Sequence, residues 1–321
     1  MLVFSGTSYL GLDHHPQFRA AVQRGMEQYG THYGGSRRSP LVPGVYAEAE
    51  AAMAAWAGAP AALLVGSGTS AGQLVASYLA SRGHTLQLSP FAHPASWWPG
   101  AEAHHEWATW LAAAREHDQV CLTDGINPLR IALPPWDALP ANGSATLVVD
   151  DAHLLGCWGA AGAGSWPMLR GRWAGELMVT ASLGKALAMP GGVILGSQAL
   201  VAALRELPQF GGASPPPPAY LYAWLHTQEL REAQRTRLHH HLRYLQGLLA
   251  GDERVRMVPG FPVIGLLVPA WVDRLAEQGI VVSAFRYPGP TDPYYARIVV
   301  RADHTDEEIA FLGKCLRELT A

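Results

Sequence analysis

Lysine is almost missing from this chain. The 321 residues carry 23 Lys and Arg together, yet lysine stands only at positions 185 and 314. Arginine therefore does nearly all the cationic work. The formal net charge is −3 and no basic run occurs, which leaves out the electrostatic footprint of nucleic-acid or anionic-membrane binding. Cysteine is scarce as well. Cys121, Cys157 and Cys315 are odd in number and scattered, so neither a disulfide framework nor a zinc spacing is present, and a reducing cytoplasm is the expected location. Charged residues make up only 15% against 49% hydrophobic. Even so, no run approaches the roughly 18 apolar residues that a spanning helix needs. The start, MLVFSGTSYLGLDHHPQ, lacks a basic segment followed by a long apolar one, so no secretory leader is expected.

What is present is alternation. AALLVGSG (61–68), HTLQLS (84–89), QVCLTDG (119–125), ATLVVDD (145–151), GELMVTAS (175–182) and GVILGS (192–197) read as short buried strands. Helical patterns such as SAGQLVASYLASRG (70–83) and HEWATWLAAAREH (105–117) lie between them. That order predicts an α/β fold with a mainly parallel sheet and helices on both faces. The proline run at 215–218 opens one long amphipathic helix and marks a boundary. The expected division is an N-terminal arm and helix over 1–43, a large domain over 44–213, and over 214–321 a linking helix with a small α+β domain.

Ligands of open α/β sheets sit beyond the carboxyl ends of the strands. That points to Ser67, Gly68, Thr69 and Ser70; to Asp124 and Asn127; to Asp150, Asp151 and His153; and to Ser182 and Lys185. A chain that otherwise writes arginine needs lysine where a primary amine must attack a carbonyl, because guanidinium stays protonated. Lys185 at a strand end suits a Schiff base; alone, it also suits an ordinary loop lysine. Asp150 and Asp151 face opposite ways if the strand continues, so one is held near a buried face and needs a cationic partner. A protonated pyridine nitrogen is such a partner; a strand-end turn with capping acids is the plainer alternative. GSGTSAGQ (66–73) places bare N–H groups at a helix start, a phosphate cradle. His93, after another strand, suits either stacking on a flat ring or a satisfied loop position.

Taken together, TSYLGLDHHPQ, YGGSR, GSGTSAGQ, AHPAS, VVDDAHLLG and SLGKALAMPGGVILG resemble, in order, the motifs of the α-oxoamine synthases. The nearest likeness is to the 8-amino-7-oxononanoate synthase branch, and it runs from about residue 2 to the final helix. The resemblance implies fold type I of the pyridoxal-phosphate (PLP) enzymes, with a mainly parallel seven-stranded sheet and a smaller C-terminal α+β domain. It implies pyridoxal 5′-phosphate as cofactor, bound through Lys185, with no metal. Asp150 is expected at the pyridine nitrogen, His153 at the ring oxygen and His93 stacked on the ring. Ser67, Gly68, Thr69 and Ser182 are expected at the phosphate, with Ser214 the nearest hydroxyl to one that the family draws from a partner subunit. Arg297 falls where the family binds the amino-acid carboxylate, a group that a bidentate guanidinium suits. The implied reaction joins an amino acid, alanine first, to an acyl-CoA or other acyl thioester with loss of CO2, as in biotin synthesis. The implied assembly is a homodimer with sites at the interface. Transamination, aldol chemistry and a non-catalytic relative are the alternatives.

Several positions depart from the pattern. The N-terminal segment is expected to be short relative to the family. The family's serine after the strand that reads QVCLTDG here is absent, and Asn127 or Pro128 stands in its place. Ala213 takes the place of the partner-derived hydroxyl, and Tyr46 stands where a histidine is usual. The lysines that meet coenzyme A phosphates are missing, leaving Arg37 and Arg38 as candidates. His239, His240 and His241 cannot share one helix face, so they read as a solvated helix and not as a metal site. Trp97, Trp98 and Trp110 read as packing or dimer contacts, with a substrate wall as the lesser option.

Overall fold

The computed structural model describes residues 1–287 and 289–320; Pro288 and Ala321, in the segment read as the small domain, lie outside the described residues. Leu2–Phe4 forms β1, which pairs in parallel with the distant segment 280–282. This part of the expected arm is thus an edge strand, and Phe4 is fully buried. Pro16–Tyr29 (α1) has proline in its first turn, where the fixed φ fits and no donor is lost. Val45–Ala57 (α2) ends at Gly58 in the left-handed region, φ 71°.

The large unit follows the expected alternation. Its strands are Ala61–Val65 (β2), Thr85–Leu88 (β3), Glu102–Ala103 (β4), Gln119–Asp124 (β5), Thr146–Asp150 (β6), Leu177–Ser182 (β7) and Gly192–Gly196 (β8). Among the described residues they form a seven-stranded sheet in the order β2-β8-β7-β6-β5-β3-β4. Only β8 runs against the rest. Gly68–Ser81 (α3) covers one face. Trp107–Ala113 (α4), shorter than the pattern predicts, and Trp166–Arg170 (α5) pack on the opposite face, while Gln198–Arg205 (α6) and Pro208–Gly212 (α7) join α3. The strand interiors are apolar on both sides because both faces are covered. Val120, Leu122 and Val148 pack toward α3, while Cys121, Leu147 and Val149 join the core behind the sheet.

The expected single long helix is broken in two. Pro218–Leu225 (α8) stops, and Gln228–Leu248 (α9) starts anew. Thr227 leaves helical geometry, with φ −131° and ψ 33°, and its hydroxyl donates to the Ala223 carbonyl at 2.6 Å. Arg231 donates to the Trp224 carbonyl, so the last turn of α8 is satisfied from the next helix. Beyond it lie Val255–Met257 (β9), Val263–Leu266 (β10), Trp271–Glu277 (α10), Ile280–Arg286 (β11), Tyr294–Val299 (β12) and Asp306–Thr320 (α11). The smaller sheet runs β1-β11-β12-β10-β9. Among the described residues no helix is long and apolar enough to cross a membrane.

Candidate active site

Strands β2, β3, β5, β6 and β7 end at one edge of the large sheet, and the singled-out side chains follow those ends. Asp124 closes β5 and Asp150 closes β6, and the two are direct partners in the parallel register. Ser182 closes β7 opposite Gly192. Ser67 follows β2, and its hydroxyl caps α3 by accepting the Ser70 N–H at 3.0 Å. The strand residues behind them are buried, whereas Ser67, His93, Asp150, His153, Ser182, Lys185 and Arg297 keep partial exposure. That contrast marks a concave edge.

The two aspartates at 150 and 151 divide as the alternation requires. Asp151 is fully buried on the far side and accepts the Ser165 N–H at 2.6 Å, a structural role. Asp150 faces the edge, where its charge is felt by Lys185, His93 and Asp124. Burial lowers the Lys185 ammonium below its usual range; Asp150 and Asp124 oppose this, and Arg297 adds to it. A lowered amine is available in its neutral, nucleophilic form. Burial, then Lys185, Arg297 and His93, holds the His153 imidazole well below its usual value, so it is neutral. His93 is also lowered, by burial first. Its Nδ1 accepts the Ala95 N–H at 3.2 Å, and its own backbone N–H donates to Asp124 at 3.0 Å.

Asp124 is pushed up to about 8 by burial and then by the neighbouring Asp150 charge, with the His93 N–H opposing. An unfolded chain ionises this group near 3.8. Its folded value is raised, so its contribution to stability is complete below that lower value and is lost as pH climbs through the upper one. In cofactor-free protein, Asp124→Asn is expected to flatten the fall of Tm across this window. Scanning calorimetry at several pH values checks it; parallel curves for the two proteins would refute it.

The helix start and Ser182 form a tight cup. A Cβ on Gly68 would stand 2.7 Å from the Ser182 Cβ and 2.8 Å from its Cα, so only glycine lets helix and strand end approach this closely. The Ser182 hydroxyl accepts the Gly184 N–H at 3.2 Å. Gly68 and Thr69 present first-turn N–H groups at the positive end of a 14-residue helix.

Beside the cup a cavity of about 340 Å³ is lined by His93, Asp124, Asn127, His153 and Arg297, with Phe91, Trp97, Phe285, Tyr287 and Tyr295 as an aromatic wall. Trp97 therefore does take the wall position that the sequence left as the lesser option. Asn127 lines the cavity, but its side-chain oxygen accepts the Leu129 and Arg130 N–H groups, which fixes the loop. Arg297 reaches across from β12, and one nitrogen donates to the Pro128 carbonyl at 2.8 Å. Its Nε is buried with no partner among the described residues. A buried unpaired guanidinium N–H fits a carboxylate ligand. Arg297→Ala is expected to raise KM for the amino acid by about 10- to 100-fold, the worth of a charged hydrogen bond. A steady-state comparison against varied amino acid tests this, and an unchanged KM would count against the assignment.

Other expected positions lie apart from this cavity within the chain; for Ser214 the expected phosphate contact comes from a partner subunit. Ser214 is exposed, its carbonyl backs onto Gly66, and it lines a separate cavity of about 300 Å³ on the outer flank of α3 with Ser70 and Trp98. Arg37 is not free for a coenzyme A phosphate. It is buried, paired with Glu50 at 2.9 Å and stacked on Tyr46 at 4.2 Å. Arg38 pairs with Glu206 at 3.0 Å. Tyr46 lies in the core and donates to the Pro216 carbonyl at 2.7 Å; burial pushes its phenol up to about 12. Trp110 is core. The solvated reading fails for His241, which is buried between the Arg301 carbonyl and Asp306. No group of three metal-ligating side chains occurs among the described residues. Tyr9 lies in the motif TSYLGLDHHPQ but drew no role of its own from the sequence; its hydroxyl stands 2.7 Å from His153 Nδ1.

An amine lowered by burial, a strand-end carboxylate and a helix-terminal anion cup at one sheet edge define a cofactor-dependent transferase site. The comparisons agree. Residues 130–313 match the aminotransferase class I and II family. An 8-amino-7-oxononanoate synthase of Nitrosococcus oceani is 30% identical over 98% of this chain and 90% of its own length. One from Methylococcus capsulatus is 32% identical over 98% and 88%. Among solved structures, a serine palmitoyltransferase from S. paucimobilis superposes with a TM-score of 0.83 at 20% identity, covering 98% of this chain and 86% of that one. An 8-amino-7-oxononanoate synthase from Francisella tularensis gives 0.78 at 22%, over 100% and 98%. The chain belongs to the aminotransferase class I and II family and is a relative of its α-oxoamine synthases. Serine palmitoyltransferase structures of this fold hold pyridoxal phosphate. The donor set fits that group, since the cup left open by Gly68 suits a phosphate and Asp150 suits a ring cation.

Proposed function

We propose that this protein joins a small amino acid, alanine first, to an acyl thioester with loss of CO2, forming an α-oxoamine. The observation that carries this reading is a cavity lined by His93, His153 and Arg297, whose Nε has no partner among the described residues, with Lys185 and Asp150 close enough for their charges to be felt by these groups. Bound pyridoxal phosphate supplies a carbonyl for the amine and a ring that spreads negative charge from Cα. Arg297 binds and orients the substrate carboxylate. Lys185, neutral once buried, would hold the cofactor covalently through that carbonyl carbon, with its oxygen leaving as water, and would take and return a proton at the substrate Cα. Asp150 keeps a proton on the ring nitrogen. His93 would pack on the ring face, and His153 would offer an N–H to the ring oxygen. The cup of Ser67, Gly68, Thr69 and Ser182 holds the phosphate. The aromatic wall excludes water from the acyl path. The enzyme works as a cytoplasmic homodimer with the sites at the interface, where the partner's segment around Ser214 meets the phosphate. Alanine with pimeloyl thioester is expected to release thiol. No release with any small amino acid and acyl thioester would refute the acyl-transfer reading and leave the cofactor assignment standing.

A second reading, transamination on the same cofactor, draws on one observation. Arg37 is buried in an ion pair with Glu50, and Arg38 is paired with Glu206, so neither stands as an unpaired cation for coenzyme A phosphates. Accumulation of keto acid without thiol release favours it.

A further inference from the structure

The His153 ring is not free to choose which nitrogen carries its proton. Tyr9 is fully buried, with the Phe261 ring edge-on at 6.2 Å, and its hydroxyl lies 2.7 Å from His153 Nδ1. Among the described residues no other polar atom bonds that hydroxyl. A buried O–H with one available partner must donate to it. Burial drives the phenol above its usual range, so the proton stays on oxygen. Nδ1 must then accept, and a neutral imidazole carries its single proton on the other nitrogen.

The hydroxyl is held in place from outside the large sheet. The Tyr9 carbonyl accepts the Ala302 N–H at 2.9 Å, and the Leu10 carbonyl accepts the Gln234 side-chain amide at 2.9 Å. Residue 302 follows β12 and residue 234 lies on α9, so the segment carrying Tyr9 is pinned to the smaller unit. His153 stands on the cavity wall, three residues beyond the end of β6.

We propose that Tyr9 is a positioning residue that fixes His153 as the Nε2–H tautomer and so presents a hydrogen-bond donor to the cavity. The partner class is an oxyanion on a flat ring bound there. The inference deepens the reading of His153 given above, and its first test does not depend on that reading.

The test is nitrogen-15 NMR of histidine-labelled full-length protein without cofactor, with the His153 signals assigned by their loss in His153→Gln. The wild type is expected to show a bare, hydrogen-bonded Nδ1 and a protonated Nε2. Tyr9→Phe is expected to convert this single tautomer to a mixture. A protonated Nδ1 in the wild type overturns the proposal, even if the variant does not fold. An unchanged tautomer in a folded Tyr9→Phe protein overturns it too. With pyridoxal phosphate added, Tyr9→Phe is expected to shift the visible band. A changed tautomer with an unchanged band would support Tyr9 as the determinant and remove His153 from the ring oxygen.

Discussion

Lys185→Ala protein mixed with pyridoxal phosphate is expected to show no visible band of bound cofactor, where the wild type shows one. Turnover is expected to fall by about 10²–10⁴-fold or more, the range for losing a positioned proton-transfer group, before the lost attachment is added. The reason is chemical. Of the two lysines, Lys314 lies exposed on α11 and pairs with Glu318 at 3.9 Å. Lys185 alone combines an amine with burial that lowers its proton affinity. Lys185→Arg keeps the charge but is expected to lose the band as well, because a guanidinium does not become a neutral nucleophile. An absorbance scan of the three proteins decides it, and a wild-type-like band in either variant would refute the role.

Asp150→Asn carries the second large effect. The carboxylate sits at the end of a buried strand, in register with Asp124 and close to Lys185 and His93. An amide of the same shape cannot hold a proton on a ring nitrogen. Turnover is expected to drop by about 10²–10³-fold, as when one preorganised electrostatic group is removed from an active site. Substrate KM is expected to change much less, because Arg297 is untouched. Steady-state kinetics separate the two parameters. A loss confined to KM would mean that Asp150 positions substrate and does not tune the ring.

Much of this arrangement was legible in the sequence for a physical reason. Strands of a parallel sheet end together, so residues just past each apolar run share an edge whatever the loops between them do. That put Ser67, Asp124, Asp150, Ser182 and Lys185 at or just past strand ends, where the fold has them. The alternation of side chains along β6 likewise separated Asp150 from Asp151, although it did not say which faces the edge; the hydrogen bond from Ser165 to Asp151 does. Where long-range pairing decides, the pattern was silent. Leu2–Phe4 looks like an arm because its partner lies 278 positions away in the register Leu2↔Ile280. Tyr9 looked like one aromatic among many because its role depends on His153, in another unit of the fold. Arg37 looked available because Glu50, on α2, cannot be seen to reach it. The helix break at Thr227 escaped notice because the amphipathic pattern runs on through it. What corrects the backbone there is a side chain, Arg231, bonding to the Trp224 carbonyl.

The central claim is one covalent attachment, and the scarcity of lysine makes it easy to test. Borohydride reduction of the protein with pyridoxal phosphate, followed by peptide mass spectrometry, is expected to find the added group on the peptide containing Lys185. Finding it on Lys314, or finding no stable adduct, would contradict this account.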